Sequence, residues 1–142
     1  MSRLRPGLRP EHFHERGRDC LPGRFGIEAL ELAEGRLRAR MAVAPHMLAP
    51  NGFLHAASVI ALADTACGYA TVAHLPDGCE TFTTLELKSN FLGTVREGAA
   101  TCEARLAHWG KTTQVWDATV SDEATGRTVA LFRCTQMMLW PK

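Results

Sequence analysis

The longest apolar run of the chain extends from about Leu54 to Leu75 and predicts a single long helix. The run is rich in Ala, Leu, Val and Ile, contains no Pro, and exceeds the usual length of a strand. Because apolar residues lie on every side of this helix, the rest of the domain has to enclose it. Asp64 stands in its middle, where an ionised carboxylate is costly unless it is paired, hydrated or protonated. Asp64 therefore needs a structural or chemical reason.

Alternating apolar and polar residues predict strands on both sides of the helix. Before it, FGIEALELAEGRLRARMAV alternates around Glu34-Gly35, which predicts a β-hairpin with a Gly turn. After the turn at 76–78, about four further strands are predicted, in the runs TFTTLELKSNFL, AATCEARLAHW, TTQVWDATVSDE and TVALFRCTQMMLW. This order predicts an α+β fold in which an antiparallel sheet of five to six strands wraps around one long central helix. A half-barrel with the helix packed on one open face is the alternative.

The chain length of 142 residues matches one domain. Residues 1–22 are rich in Arg, Pro, Gly and His with little periodicity, and they predict a flexible N-terminal arm that carries no chemistry. One short helical turn is expected in this arm, near Glu11 to Arg16. Residues 23–142 then form the single predicted domain.

Charge and cysteine usage exclude several classes of function. The 16 Lys plus Arg nearly balance 15 Asp plus Glu, so neither nucleic acid nor an anionic membrane surface is the expected partner. No run approaches the roughly 20 apolar residues of a membrane span. The five cysteines form no C-x-x-C pair and have no His at metal-ligand spacing, which predicts reduced, packed thiols in a cytoplasmic protein and no metal site.

A specific resemblance comes from Gly52-x-x-His55 followed nine positions later by Asp64, and then from TLELKSNFLGTVREG and LAHWGKTTQVWDATVSDEATGRTVA. In order and spacing, residues 35 to 140 resemble the phenylacetate-type (PaaI) acyl-coenzyme A thioesterases of the hotdog fold. The resemblance implies a cytoplasmic homodimer or homotetramer with a composite active site at the dimer interface. It also implies that an acyl-coenzyme A thioester is hydrolysed without a metal or another cofactor.

The chain departs from the family pattern at the start of the helix. Such enzymes commonly read Asn-x-x-Gly-x-x-His-Gly-Gly, whereas Ala56-Ala57 replaces the glycine pair here and Ala49 stands six positions before the His. The Asn that helps to bind the thioester carbonyl in relatives is therefore missing from its place. Asn51, displaced beside Gly52, would have to reach the same carbonyl from a differently folded loop.

Thioester hydrolysis needs an activated water and a stabilised oxyanion. Asp64 is the candidate general base or nucleophile, and apolar surroundings should raise its pKa. The backbone N–H of Ala56 is the candidate oxyanion donor, because the first amides of a helix are unpaired and its dipole favours negative charge. Ala57 and Asp64 share one side of the helix but lie about 10 Å apart along it. Two antiparallel helices across a twofold axis would bring donor and base together, which predicts an obligate dimer.

Further site residues follow from their positions and from the resemblance. His55 either orients the loop or touches the thioester, and Thr84 corresponds to a hydroxyl that helps to place the water in relatives. Ala57 and Thr65 are expected to contact the substrate. Gly110, Lys111 and Thr112 fit where relatives bind the nucleotide tail of coenzyme A, with Arg96 or Arg133 as possible additions. The alternative for Asp64 is a packing role, bonded to hydroxyls of a neighbouring strand.

Two other functions are compatible with the same fold. A hydratase or dehydratase would use a catalytic Asp–His pair, but His55 and Asp64 lie nine positions apart on opposite helix faces, which argues against it. A non-catalytic acyl-coenzyme A binding protein stays open, because a missing carbonyl-binding Asn is compatible with lost turnover. Nothing in the sequence separates aryl-acetyl, benzoyl-like and medium-chain fatty acyl groups.

Overall fold

The computed structural model describes residues 3–142, which form three helices, one 3-10 turn and six strands. The helices are α1 (Pro10–Gly17), α2 (Leu21–Arg24) and α3 (Ala56–Ala73), and the 3-10 turn spans Pro45–Met47. The strands are β1 (Ile27–Ala33), β2 (Arg36–Ala42), β3 (Thr81–Phe91), β4 (Ala99–Trp109), β5 (Thr113–Asp122) and β6 (Thr128–Leu139).

All six strands belong to one antiparallel sheet in the order β1-β2-β4-β5-β6-β3. Helix α3 contacts every one of them, so the sheet wraps around the helix. The predicted α+β hotdog arrangement is confirmed, and the half-barrel with the helix on one open face is not observed. The chain follows the sheet from β1 to β2 and from β4 to β6, but β3 pairs with β6 and occupies the far edge.

Helix α3 fills the centre of the domain because it is apolar on every side. Leu62, Ala63, Ala66, Cys67 and Ala70 are fully buried along it. Among the described residues it alone is long and apolar enough to cross a membrane, contrary to the expectation that no segment approaches that length. The reason is physical: a helix enclosed by a sheet needs much the same composition as one enclosed by lipid.

The C-terminal end of α3 is tied to the sheet by a hydrogen-bonded network around His74. Its Nδ1 lies 2.7 Å from the Ala70 carbonyl oxygen, and its Nε2 accepts the Gly35 N–H at 2.8 Å. The His74 carbonyl oxygen accepts hydrogen bonds from Trp109 Nε1 and Gln114 Nε2, at 2.8 and 2.7 Å. His74 and Gln114 are fully buried, so these bonds satisfy polar groups that have no access to water.

The predicted arm packs against the domain over the residues that the structure describes. Helix α1 begins at Pro10, and its Phe13 is buried and stacks on Tyr69 of α3 with ring centroids 4.6 Å apart. Nearer the N-terminus, the Arg5 N–H donates to the Ala73 carbonyl oxygen at 2.8 Å. The Arg5 guanidinium also donates to the carbonyl oxygens of Leu75, Pro76 and Cys79. Residues on the N-terminal side of the boundary at 22 thus contribute to the core.

Candidate active site

A cavity of about 360 Å³ lies beside the middle of α3, and we call it the Asp64 cavity. Three of the sequence-predicted site residues line it together: Asp64, Thr65 and Thr84. Helix α3 supplies the first two and strand β3 supplies Thr84. The remaining lining residues are mostly apolar, namely Phe13, Arg16, Gly17, Cys20, Pro22, Gly68, Tyr69, Val72 and Phe82. The sheet edge and the helix therefore bring a carboxylate and two hydroxyls to one apolar space.

The carboxylate of Asp64 is partly removed from water and lacks a compensating hydrogen bond. Its Oδ1 is buried and has no hydrogen-bond partner among the described residues, and the side chain as a whole is half-buried. Desolvation raises the pKa of Asp64, because the apolar surroundings disfavour the charged form. No strand hydroxyl binds Oδ1, so the packing role considered for Asp64 has no observed partner. Such an orphaned carboxylate oxygen in a cavity is a candidate reactive group.

Five residues of the N-terminal segment line the Asp64 cavity, although the sequence suggested no chemistry there: Phe13, Arg16, Gly17, Cys20 and Pro22. The only sequence signals are Pro10, which favours the first turn of a helix, and a single large apolar residue at 13. The partner of Phe13 is Tyr69, more than fifty positions away in the chain. Local patterns alone therefore could not place these residues at the site.

A second cavity, also of about 360 Å³, lies at the N-terminus of α3, and we call it the Ala56 cavity. It contains three more of the predicted residues, Asn51, His55 and Ala56, and also Ala49. Gly52 forms the turn that leads into it, with a positive φ of 84° that favours glycine. The other lining residues are Phe53, Leu54, Val59, Phe91, Gly93 and Thr94.

Hydrogen bonds at this end of the helix occupy some of the predicted groups and leave one open. His55 is the N-cap, and its Nδ1 accepts the Ala57 N–H at 2.9 Å. Asn51 Oδ1 accepts the Phe53 N–H at 3.1 Å, so it holds its own turn. The Ala56 N–H has no hydrogen-bond partner within residues 3–142. The predicted oxyanion donor, the Ala56 N–H, is therefore available, whereas the next amide, that of Ala57, is occupied by the His55 cap.

The two cavities share no lining residue. Ala56 precedes Asp64 by eight positions, which corresponds to about 12 Å along the helix. A single chain therefore does not bring the free amide and the carboxylate to one carbonyl group.

The residues expected near the coenzyme A tail lie elsewhere. Gly110, Lys111 and Thr112 form the β4–β5 turn, next to Trp140 and outside both cavities. Arg133 makes two hydrogen bonds to the Asp117 carboxylate on β5. Arg96 is not ion-paired within the described part of the chain; it lies over the Phe53 ring, 4.6 Å from its centroid, beside the Ala56 cavity. Among residues 3–142, no group of three His, Cys, Asp or Glu side chains is arranged to hold a metal ion.

Comparison with known proteins identifies a consistent set of relatives. A sequence profile of the thioesterase superfamily matches residues 51–130. The 1,4-dihydroxy-2-naphthoyl-CoA hydrolase of Listeria monocytogenes is 32% identical over 112 residues, covering 78% of this chain and 89% of that protein. The acyl-coenzyme A thioesterase PaaI of Escherichia coli is 30% identical over 116 residues, and this alignment covers 81% of this chain and 79% of that protein.

Solved structures agree with the sequence matches. A mutant of thioesterase PA1618 from Pseudomonas aeruginosa superposes with a TM-score of 0.91 at 27% identity, over 97% of this chain and 99% of that one. The Escherichia coli PaaI protein gives a TM-score of 0.80 at 27% identity, over 92% and 91% of the two chains.

Proposed function

Since this chain belongs to the thioesterase superfamily, we propose that it hydrolyses acyl-coenzyme A thioesters to a free acid and coenzyme A. Its relatives carry the names of thioesterases and of a CoA hydrolase, which makes hydrolysis of a thioester the general activity. The observation that carries the finer proposal is the orphaned Oδ1 of Asp64 in an apolar cavity. A carboxylate kept without a partner at that cost is available for a reacting group.

Asp64 acts in this proposal as the general base or as the nucleophile. As a base it removes a proton from water while the water oxygen attacks the thioester carbon; the C–S bond then breaks, and the coenzyme A thiolate leaves and takes up that proton. As a nucleophile its oxygen attacks that carbon and displaces the coenzyme A thiolate, and water then hydrolyses the acyl–Asp64 anhydride, which releases the acid and restores the carboxylate while the proton goes to the thiolate. Its raised pKa makes it a stronger base than a solvated Asp. The hydroxyls of Thr65 and Thr84 line the same cavity and are placed to hold the water. These steps require no metal or cofactor.

The oxyanion donor comes from a second copy of the chain. The free Ala56 N–H lies at the positive end of α3, where a developing negative charge is stabilised. Because it is about 12 Å from Asp64 along one helix, the two groups meet only if the α3 helices of two subunits run antiparallel. The His55 cap supports the donor by fixing the first turn of the helix.

The edge of the sheet supports such a dimer. Strand β3 hydrogen-bonds only to β6, so its other edge has no strand partner among residues 3–142. Leu85, Leu87 and Phe91 are exposed along it, and Leu92 follows directly after it. A long apolar edge strand is an aggregation hazard unless another chain pairs with it. Edge pairing of β3 across a twofold axis would remove this hazard and join two copies into a homodimer, with a homotetramer as the next level.

Coenzyme A would enter at the Ala56 cavity. Arg96 is the cation best placed to meet its phosphates, because Arg133 is engaged by Asp117 while Arg96 only stacks on Phe53. Gly110, Lys111 and Thr112 stay a prediction for the nucleotide tail, and they would have to come from another subunit. Four of the five cysteines are buried and all are free thiols, which is compatible with the proposed cytoplasmic location.

The test is hydrolysis of a panel of aromatic and aliphatic acyl-coenzyme A thioesters by the wild type and Asp64→Asn. The substitution keeps the shape of the side chain but removes the base, so kcat should fall by about 10³-fold while fold and dimer persist. Asp77→Asn, at an exposed turn, is the matched control and should retain full activity.

Two results would change the proposal. Near-full turnover by Asp64→Asn would remove Asp64 from the mechanism. Saturable binding of the panel by the wild type without any turnover would favour the second candidate, a non-catalytic acyl-coenzyme A binding protein. That candidate is supported by Ala49, because the family pattern described above has its Asn at this position and this chain has no amide side chain there.

A further inference from the structure

The Asp64 cavity has a second polar region, built where α1 meets α3. Arg16 lines the cavity, is exposed, and makes no ion pair or hydrogen bond within residues 3–142. The Tyr69 hydroxyl faces the same place and likewise has no hydrogen-bond partner there. Asp64 and Arg16 are the two charged residues that line the cavity, and they have opposite signs.

The Tyr69 hydroxyl can lie close to α1 because Gly17 has no side chain. Gly17 is buried at the end of α1, and a Cβ at this position would lie 2.5 Å from Tyr69 Oη. Stacking on Phe13, one turn before Gly17 in α1, also holds the Tyr69 ring against this helix. Burial raises the pKa of Tyr69 more than the nearby Arg16 lowers it, so the hydroxyl keeps its proton and can donate. The Arg16 guanidinium and the Tyr69 hydroxyl are thus two hydrogen-bond donors that have no acceptor in the part of the chain that the structure describes.

Building on the proposed hydrolysis, we propose that Arg16 and Tyr69 bind a carboxylate at the far end of the acyl group, so that the preferred substrates are coenzyme A thioesters of dicarboxylic acids. A guanidinium matches the two oxygens of a carboxylate better than any other acyl substituent. Tyr69 follows Asp64 by five positions, about 7.5 Å along the helix, which leaves room for a short chain or one ring between the two ends.

The opposite charges of Asp64 and Arg16 also determine the orientation of the acyl group in the cavity. A carboxylate beside Asp64 would be repelled, whereas at Arg16 it gains an opposite charge and a hydroxyl donor. The thioester carbon then lies at the Asp64 end. The apolar residues of the same cavity, which include Val72 and Phe82, contact the chain of the acyl group.

The experiment compares pairs of thioesters of equal chain length, glutaryl- against pentanoyl-coenzyme A and adipoyl- against hexanoyl-coenzyme A. In the wild type, kcat/KM for the dicarboxylic member should be about tenfold higher, and this preference should shrink as salt is added. Arg16→Gln should abolish the preference, because it lowers kcat/KM for the dicarboxylic member to the level of the neutral one. Tyr69→Phe should reduce the preference in part. Arg24→Gln, an exposed arginine of α2 outside the cavity, is the matched control and should retain it.

A binding measurement separates this proposal from the proposed hydrolysis. Non-hydrolysable thioether analogues of the same pairs are titrated calorimetrically into the wild type and Arg16→Gln, and the ratio of their Kd values is compared. If no thioester is hydrolysed but the wild type binds the dicarboxylic analogue about tenfold more tightly and Arg16→Gln does not, hydrolysis fails and the Arg16 site stands. Equal Kd values in the wild type, or a ratio unchanged in Arg16→Gln, would overturn the carboxylate site whether or not hydrolysis is found.

Discussion

Helix α3 carries a carboxylate, Asp64, in its middle and ends at a histidine, His74, as its C-terminal cap, and the surroundings of these two side chains differ. His74 is fully buried, with both ring nitrogens and its carbonyl oxygen in hydrogen bonds to the helix, the β1–β2 turn and the sheet. Asp64 is half-buried in a cavity, and its buried Oδ1 has no partner among the described residues. The polar atoms of His74 are thus hydrogen-bonded, whereas ten positions earlier the buried oxygen of Asp64 is not.

Burial favours the neutral form of both side chains, Asp64 and His74. Desolvation raises the pKa of Asp64 and lowers the pKa of His74, although the Ala70 carbonyl oxygen partly opposes the second effect. For His74 the cost is offset by its hydrogen bonds, which join three parts of the fold. For Asp64, no hydrogen bond within residues 3–142 offsets the cost of burying Oδ1. This contrast supports a stabilising role for His74 and the chemical role that we propose for Asp64.

The largest expected effect on stability comes from His74→Ala. The substitution leaves the Gly35 N–H and the Ala70 carbonyl oxygen without their partner and creates a cavity, so the free energy of unfolding should fall by about 3 kcal/mol. Urea denaturation followed by circular dichroism measures it. Asp64→Asn should instead leave this free energy unchanged or raise it by about 1 kcal/mol, since it removes a buried charge without a partner.

The exposed His108 on β4 provides the control for the histidine substitution, and His108→Ala should change the free energy of unfolding by less than about 0.5 kcal/mol. At a temperature where His74→Ala is folded, its turnover per folded molecule should stay within a few-fold of the wild type. If Asp64→Asn were the more destabilised of the two, Asp64 would belong to the structural network and the contrast within α3 would be lost.

A smaller effect is expected from pH, with opposite signs for the two residues. The unfolded chain protonates His74 near pH 6.5 and the folded chain only at lower pH, so its stabilising contribution is present above about 6.5 and is lost as pH falls below it. The change is at most about 1.4 kcal/mol per pH unit. Ionised Asp64 costs stability, and that cost disappears as pH falls through its raised pKa.

Activity should report the Asp64 pKa separately from stability. Because the proposed base must be ionised, kcat/KM should fall on the acid side at a pH above 3.8, the ordinary value for Asp. Denaturation curves at several pH values, for the wild type and His74→Ala, test the histidine contribution. An identical pH dependence of unfolding in both proteins would contradict it.

Local sequence patterns predict the helices and strands, but they do not predict the contacts between residues that are far apart in the chain. The apolar run at 54–75 predicts α3 within two residues at each end, and Gly35, with a positive φ of 67°, marks the β1–β2 turn. The pairing of β3 with β6 follows no local pattern, because it depends on where the chain emerges after α3. The role of α1 was missed for the same reason: Phe13 becomes a core residue only through Tyr69.

Part of the candidate site could be outlined from the sequence because most of its candidate residues lie in or beside one helix. Asp64 is conspicuous in an apolar run, and the structure places it with Thr65 and Thr84 in one cavity. The separation between this cavity and Ala56 follows from helical rise and was predictable. Arg16 and Tyr69 were not, since an arginine in a basic segment and a tyrosine in an apolar helix are unremarkable until the fold brings them together.

The smallest expected effect concerns the N-terminal end of α3, through Ala49→Asn. Ala49 lines the Ala56 cavity, and its N–H and carbonyl oxygen are already bonded to Phe53 and Gly52, so only the side chain changes. One added amide donor at the thioester carbonyl is worth about 1 kcal/mol, which predicts a rise in kcat/KM of about fivefold. Ala124→Gln, at an exposed turn, should have no effect. An unchanged rate in Ala49→Asn, with normal stability, would mean that Asn51 or the Ala56 N–H already donates to the thioester carbonyl. An amide side chain at position 49 would then be dispensable in this loop.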